Sequence, residues 1–276
     1  MPEKIRNTAS AAAGSVRDAD LLEQTAVAVR AAGSALRERF GDVVRYQTRE
    51  ELMRALAAND DAALDVLRPR LALLRPDARW PEDELEGGAL PPGEWWVVDP
   101  AEGNVNHLHG LPEWAVTATL VRENQPVLTA VHLPLTGETY TALAGAGARL
   151  DGGPLQVSET TSLSLSLVAT SQARPDEDEQ IVRRIGDSIT GMLLEALVVR
   201  TSVPATLHLL NVAAARIDAF WQFAGARADL LPGALLVTEA GGRVSDAAGR
   251  PWALASDSFL AAAPGVHAEA VAALSR

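Results

Sequence analysis

One stretch of the chain, residues 94–107 (EWWVVDPAEGNVNH), constrains the fold more than any other because it places two acids directly after an apolar run. Trp95–Val98 is aromatic and β-branched, which predicts a buried strand. A proline then ends that strand, and Gly103 gives the backbone the freedom of a turn. Asp99 and Glu102 therefore fall at the carboxyl end of the strand, where two carboxylates are costly unless their charge is compensated.

A divalent cation is the simplest compensation, because Mg²⁺ binds to a few carboxylates together with water and substrate oxygens. The alternative is a strand and turn that carry two surface acids, and the pattern alone favours neither interpretation. A metal would also let an acidic chain, with a formal net charge of −12, hold an anionic substrate.

Composition excludes several classes of chemistry and partner. The 276 residues include no cysteine, so disulfides, thiolate nucleophiles and cysteine-based zinc sites are excluded. The net charge of −12 argues against nucleic acid as a partner, since there is no basic stripe to replace phosphate counterions. We expect a cytoplasmic protein with no membrane association, because no apolar run reaches the length of a signal peptide core or a membrane span.

The first half of the chain predicts helices followed by an antiparallel meander. Helical spacing indicates a helix over residues 21–40 and another from residue 49, which Thr48 and Glu51 open as a capping box. Residues 59–61 are expected to interrupt or re-cap that helix, and a second helical run follows to about residue 74. The remaining predicted strands are residues 43–47, 114–121, 126–133, 138–143 and 155–157.

The second half alternates strands and helices, as a mixed or parallel sheet requires. The predicted strands are residues 165–170, 198–200, 217–223 and 258–262. The predicted helices are residues 176–197, 206–216 and 229–240, with a terminal helix from residue 266. Gly241 and Gly242 provide a helix C-cap.

Four motifs occur in an order that resembles the inositol monophosphatase-like superfamily of metal-dependent phosphatases, over nearly the whole length. They are the acidic pair Glu82-Asp83, residues 99–104 (DPAEGN), residues 228–233 (ADLLPG) and residues 237–242 (VTEAGG). Asp229 precedes Glu239 by the family spacing. One such motif would be weak, but four in order are specific.

The resemblance implies a layered αβαβα sandwich of the inositol monophosphatase and fructose-1,6-bisphosphatase type. It also implies an N-terminal α+β half, residues 1–160, with the main metal-binding motifs, and a C-terminal α/β half, residues 161–276. Mg²⁺ should lie between the halves. Its ligands, by position in the motifs, would be Glu82, Asp99, the carbonyl of Ala101, Glu102, Asp229 and Asp61. For the piece that contains Asp61, residues 48–51 (TREE) are a competing match. The family often forms dimers, so we expect a homodimer.

The departures from the family pattern concentrate where chemistry takes place. The second aspartate of the central motif is Glu102, and the Thr/Ser that helps to orient water in the family is Asn104. An amide donates hydrogen bonds but does not relay a proton as a hydroxyl does. Among the positions that read substrate, Val203 replaces a small residue and Gln222 replaces an acid. The ligands are thus kept, while water activation and substrate recognition are altered.

The resemblance predicts Mg²⁺-dependent hydrolysis of a small phosphate monoester such as a sugar, polyol or nucleotide phosphate. Glu82 and Asn104 would position the water, and Gly103, Asn104, Val203 and Gln222 would contact the substrate. Two alternatives remain open: a homologue that uses the same pocket for non-phosphatase chemistry, and a non-catalytic ligand-binding homologue. His107 and His109 lie on one side of a predicted extended segment, which is a weaker hint of a second metal site.

Overall fold

The computed structural model describes residues 3–41, 45–82, 87–171, 177–223 and 227–275, the first fifteen of these as backbone only. The helices are α1 (Glu3–Arg39), α2 (Arg49–Leu74), α3 (Asn104–Leu108), α4 (Glu179–Leu193), α5 (Ala205–Ala213), α6 (Arg227–Glu239) and α7 (His267–Leu274). The strands are β1 (Glu94–Glu102), β2 (Ala115–Arg122), β3 (Gln125–His132), β4 (Thr139–Leu143), β5 (Gly147–Leu150), β6 (Gly153–Pro154), β7 (Leu167–Thr170), β8 (Val198–Thr201), β9 (Ala219–Phe223), β10 (Arg243–Ser245) and β11 (Ser258–Ala262).

These strands form two sheets. The first is an antiparallel meander in sequence order, β1 to β6, as the alternating pattern of the first half predicts. The second has the order β10-β11-β9-β7-β8, in which β7 lies parallel to both β8 and β9. The helical crossovers that join its parallel strands explain why the second half alternates strand and helix.

Apolar clusters stack the elements into five layers. In the first cluster α1 and α2 pack on one face of the meander, around fully buried Trp96 and Trp114. The second cluster holds α5 and α6 between the two sheets. The third packs α4 and α7 on the outer face of the second sheet. This is the predicted αβαβα sandwich, and burial of each large apolar side chain contributes about 1.5–3 kcal/mol.

Helix α2 confirms the capping box but not the interruption predicted at residues 59–61. The Glu51 amide donates to Thr48 Oγ1 at 3.2 Å, and the Glu51 carboxylate accepts from the Gln47 amide at 2.9 Å. The helix then continues through Pro69, because a buried stripe of Asn59, Ala63, Leu67 and Leu71 anchors it to the core.

Other element predictions differ from the structure in detail. Helix α1 begins before the predicted residue 21, and β10 was not predicted. Of the predicted strand at residues 43–47, residues 45–47 form no strand and the rest lie outside the described residues. The strand predicted at residues 155–157 is replaced by the short β6, which pairs with β5. Among the helices of the described ranges, none is both long and apolar enough to cross a membrane.

Candidate metal centre and active site

Three carboxylates meet between the meander and α6. One oxygen from each of Asp99, Glu102 and Asp229 lies within 4.8 Å of the other two. Asp99 and Glu102 come from β1, and Asp229 comes from the first turn of α6. Glu102 is only 2% exposed, so its charge is removed from water. The sequence prediction that these three acids cluster is therefore matched by the geometry.

The cluster is electrostatically strained without a cation. Burial, with the neighbouring charge of Asp229, raises the pKa of Glu102 from 4.5 to about 8. Burial and the charge of Glu102 raise the pKa of Asp99 well above its ordinary value. Oxygen donors that resist ionisation together form the set that a hard divalent cation binds and stabilises. The residues present therefore fit a site for a hard divalent cation.

A bulge in β1 brings the two acids of this strand together. Pairing with β2 runs from Glu94 to Asp99 and resumes at Glu102, so Pro100 falls in the interruption. The expectation that proline ends the strand was wrong. The bulge absorbs a residue that has no amide hydrogen, and the strand continues through it.

Gly103 follows the bulge and must be a glycine for two reasons. Its φ is 81°, a left-handed conformation that side chains disfavour. A Cβ atom here would lie 2.5 Å from the Glu113 carbonyl oxygen and 3.1 Å from Cγ of Pro204. The turn therefore passes close beneath the segment that leads into α5, and it opens helix α3.

The start of α5 contacts the cluster directly. The Thr206 amide donates to Glu102 Oε1 at 3.3 Å, and the Thr206 hydroxyl donates to the Asp229 backbone oxygen at 2.8 Å. The positive end of a helix favours a carboxylate. Thr206 thus ties the two halves of the site together, and no sequence motif singled it out.

The acid of α2 that contacts Asn104 is Asp60 and not its neighbour Asp61, which the sequence predicted as a ligand. Asp61 is exposed, whereas Asp60 Oδ1 accepts a 2.8 Å hydrogen bond from the side-chain nitrogen Nδ2 of Asn104. Burial raises the pKa of Asp60 to about 6, and its charge in turn raises the pKa of Asp99. Helix periodicity carries the signal that separates the neighbours, because Asp60 lies one turn from both Leu56 and Leu64.

Asn104 is fully engaged by neighbours on α2. Its Nδ2 also donates to the Leu56 carbonyl at 3.0 Å, and its Oδ1 accepts from Asn59 Nδ2 at 2.9 Å. The side chain of Asn104 therefore donates an N–H to Asp60, where the Thr/Ser of the family pattern would offer a hydroxyl. Asn59 was another residue that the sequence motifs did not indicate.

Glu82 lies on the wall of a neighbouring cavity and not in the three-carboxylate cluster. This cavity of about 270 Å³ is lined by Asp60, Trp80, Glu82 and Val98 among others, and Glu82 itself is exposed. Its predicted partner in the acidic pair, Asp83, lies outside the described residues. A ligand or water-positioning role for Glu82 stays a prediction.

Of the predicted substrate positions, Val203 adjoins the turn at Gly103, while Gln222 lies in the second sheet and contacts Ser171. The Val203 carbonyl accepts from Asn106 Nδ2 at 3.0 Å, which fixes the segment above Gly103. Gln222 lies near the carboxyl end of β9 in the second sheet, and its Oε1 accepts from the Ser171 hydroxyl at 2.7 Å. Ala101 is buried, and its amide donates to Asp99 Oδ1 at 2.9 Å. Their contacts with metal or substrate stay predictions.

The two histidines do not form a metal pair. They lie on and after helix α3, and not on an extended segment as predicted. His107 is buried between Phe40 and Trp114, with ring centroids at 5.3 and 4.8 Å, while His109 is exposed. The weaker hint of a second metal site is therefore wrong.

Comparison with known proteins agrees with this geometry. The model of the inositol monophosphatase family matches residues 18–276, which include both sheets and all three acids of the cluster. Inositol monophosphatase 2 of Solanum lycopersicum is 36% identical over 160 residues, 58% of this chain and 60% of that protein. Inositol-1-monophosphatase of Rhizobium meliloti is 32% identical over 87% of this chain and 90% of its own length.

Solved structures show the same fold. An inositol monophosphatase of Thermotoga maritima superposes with a TM-score of 0.79 at 26% identity, covering 93% of this chain and 97% of that one. The fold, the matched length and the order of the motifs thus agree with one another. The chain therefore belongs to the inositol monophosphatase family and is a phosphatase of the hydrolase class.

Proposed function

We propose that the protein is a Mg²⁺-dependent phosphomonoesterase that acts on a small phosphorylated metabolite, a sugar, polyol or nucleotide phosphate. The observation that carries the proposal is the cluster of Asp99, Glu102 and Asp229, with carboxylate oxygens within 4.8 Å of one another. Glu102 is buried and the other two acids are half-buried, so the ionised cluster has an electrostatic cost that a bound cation would offset.

The ions would be held by these three carboxylates, the Ala101 carbonyl, Asp60 and Glu82. When bound, Mg²⁺ neutralises phosphate oxygens and lowers the pKa of a water molecule. Of these groups, Asp60 replaces the predicted Asp61, since only Asp60 contacts Asn104.

The chain's own groups do the positioning. Asn104 donates to Asp60 and so fixes the direction of that carboxylate, which together with Glu82 would orient the attacking water. The backbone amides of Gly103 and Asn104, at the start of α3, would bind phosphate oxygens. Val203 and Gln222 would line the part of the pocket that receives the alcohol portion of the substrate.

The altered lining narrows the substrate class. A pocket that binds a polyol needs hydrogen-bond partners for its hydroxyls, and affinity falls steeply when these are missing. Val203 has an apolar side chain, and the Gln222 carbonyl oxygen already accepts from Ser171. We therefore expect myo-inositol 1-phosphate to be a poor substrate.

The test is phosphate release from a panel of sugar, polyol and nucleotide monophosphates, with Mg²⁺ and with EDTA. Mg²⁺-dependent release from at least one compound, absent in Asp99→Asn, supports the proposal. No release from any compound, with wild-type Mg²⁺ binding intact, would contradict it. Comparable turnover of myo-inositol 1-phosphate and the best substrate would contradict the specificity expectation alone.

We also propose that the protein is a cytoplasmic homodimer, on the strength of the family resemblance. Light scattering across a concentration series tests the dimer, because a dimer that dissociates shows a concentration-dependent mass. A constant monomer mass would contradict it.

A further inference from the structure

Asn59 lies at the centre of a buried network behind the candidate site. It precedes Asp60 on α2 and is 1% exposed. Its Oδ1 accepts from Arg39 Nε at 2.9 Å, and its Nδ2 donates to Asn104 Oδ1 at 2.9 Å and to His107 Nδ1 at 3.0 Å. Every polar atom of this amide is therefore used.

The direction of each hydrogen bond in the network is fixed by groups that have only one role. Arg39 only donates, so the atom of Asn59 that it meets is the oxygen. The Leu56 carbonyl only accepts, so the atom of Asn104 that lies 3.0 Å away is the nitrogen. The amide nitrogen of Asn59 therefore meets the oxygen of Asn104.

His107 agrees with the same direction. Its Nε2 lies 3.0 Å from the Leu36 carbonyl, which requires the ring proton on Nε2 and leaves Nδ1 as an acceptor for Asn59. Burial lowers the pKa of His107, which favours the neutral ring that this tautomer needs. No bond in the network opposes another.

Asn104 can be placed in two orientations, which is a problem that a hydroxyl group at this position would not have. The two ends of an amide have nearly the same shape, so rotation by half a turn exchanges donor and acceptor. The reversed amide would point Asn104 Oδ1 at the Asp60 carboxylate, two acceptors against each other. The Leu56 carbonyl opposes this reversal at the nitrogen of Asn104, and the N–H of Asn59 opposes it at the oxygen.

We propose that Asn59 is a positioning residue, which donates to the Asn104 oxygen and so keeps the Asn104 nitrogen directed at Asp60. The inference rests on the proposed function, in which Asp60 and Glu82 orient the attacking water. Asn59 touches neither metal nor substrate and acts through Asn104.

The test compares Asn59→Asp in the wild type and in Asn104→Thr. Aspartate keeps the shape and the acceptor for Arg39 but has no N–H to donate. In the wild-type background we expect kcat to fall about 10- to 100-fold with little change in KM, as for a small misplacement of a catalytic group. In Asn104→Thr the same change should alter kcat less than about twofold, because a hydroxyl rotates freely.

Asn124→Asp is the matched control, because Asn124 Nδ2 also donates to a carbonyl, that of Leu90 at 2.9 Å. It lies at the opposite end of β1 from the site, so kcat should not change. An equal fall in kcat for Asn59→Asp in both backgrounds would overturn the proposal, because it would mean a general structural defect.

Side-chain amide exchange gives an answer that does not depend on turnover. In ¹⁵N-asparagine-labelled protein, Asn59→Asp and Asn104→Thr assign the two NH₂ signals by their loss. We expect solvent exchange of the Asn104 NH₂ to rise at least about tenfold in Asn59→Asp, because its orientation is no longer held. Unchanged exchange would refute the role of Asn59 even if the protein hydrolyses phosphate esters. Faster exchange in a protein without phosphatase activity would refute the proposed function only.

Discussion

The carboxylate cluster and the Asn104 corner lie side by side but have diverged differently. The cluster of Asp99, Glu102 and Asp229 keeps its acidic character, with a longer side chain at Glu102. The corner of Asn59, Asp60 and Asn104 holds an amide network where the family resemblance implies a hydroxyl. Cation binding depends on charge and approximate distance, so it tolerates an extra methylene. Orientation of a water molecule depends on which atom donates the hydrogen bond. It therefore does not tolerate a change of donor as cation binding tolerates a longer side chain.

The largest expected effect concerns the cluster and its stability without metal. Asp99→Asn should abolish Mg²⁺-dependent phosphate release and the rise in Tm on adding Mg²⁺, which for the wild type is about 5–10 °C at a hundredfold excess over Kd. The same change should raise the Tm of the metal-free protein, because it replaces a carboxyl whose ionisation is opposed by burial and by the charge of Glu102. Scanning calorimetry with Mg²⁺ and with EDTA measures both.

The two signs in Asp99→Asn separate a metal site from ordinary packing. The substituted amide would keep the oxygen that accepts from the Ala101 backbone N–H, so the local turn should survive. A lower metal-free Tm would indicate that Asp99 is structural. A retained Mg²⁺ shift would remove it from the metal site.

The second expected effect compares neighbours on α2. Asp60→Asn should lower kcat by about 10²- to 10⁴-fold, the usual value of a group that assists proton transfer or orients water. Asp61→Asn is the matched control and should leave kcat within about twofold, since Asp61 is exposed. The reverse ranking, measured in the same phosphate-release assay, would restore the sequence prediction.

The choice between Asp60 and Asp61 shows how far the sequence reaches. The central motif predicted Asp99 and Glu102 because their placement depends on a local strand and turn. The pairing with Asp229 followed from the resemblance, and the geometry agrees. On α2, an error of one residue rotates the side chain by about 100°, and residue type alone does not detect it.

The hydrogen-bond network around Asn59 could not be predicted from the sequence, for a different reason. Asn59 and Asn104 are 45 residues apart, and Arg39 and His107 approach from α1 and α3. No local pattern links these residues, so only the packing of three helices brings them together. The prediction that Pro100 ends the strand failed although the local signal was strong, because a bulge lets β1 continue through the proline.

A third and smaller effect tests whether the amide corner limits catalysis. Asn104→Thr should raise kcat roughly tenfold, because a hydroxyl both donates to Asp60 and passes on a proton. The change also removes the acceptor of Asn59 and the donor to Leu56, so it should cost about 1–3 kcal/mol of stability. Steady-state kinetics and urea unfolding measure the two quantities.

The outcome of Asn104→Thr also bears on the comparison of the two regions. A wild type that is already fast, and that threonine slows, would show that the amide is an adaptation and not a handicap. Background activity in both proteins would favour non-phosphatase chemistry. Asn104→Ala is the control, because it removes the donor without supplying a hydroxyl and should lower kcat.

The smallest expected effect is the pH dependence of the metal-free protein. The pKa of Glu102 is raised from 4.5 to about 8 in the folded state, so folding favours the protonated form. Its stabilising effect is present below the unfolded pKa and is lost as pH rises through about 8. In the folded state the four buried histidines have pKa values below 6.5, so their effect has the opposite sign and ends near pH 6.5.

The informative window is therefore pH 6.5 to 8. It begins at the ordinary histidine pKa of 6.5, which applies in the unfolded state, and ends at the raised pKa of Glu102 in the folded state. In EDTA the Tm should fall across this window, while with saturating Mg²⁺ it should stay nearly level because the cation replaces the proton. The Mg²⁺-induced rise in Tm should thus increase with pH. In Glu102→Gln the fall of the Tm in EDTA should be smaller, because one of the two carboxyls with a raised pKa is gone and Asp99 remains. A wild-type Tm in EDTA that is flat from pH 6.5 to 8 would mean that the cluster is not charge-strained, and the contrast between the two regions would lose its electrostatic basis.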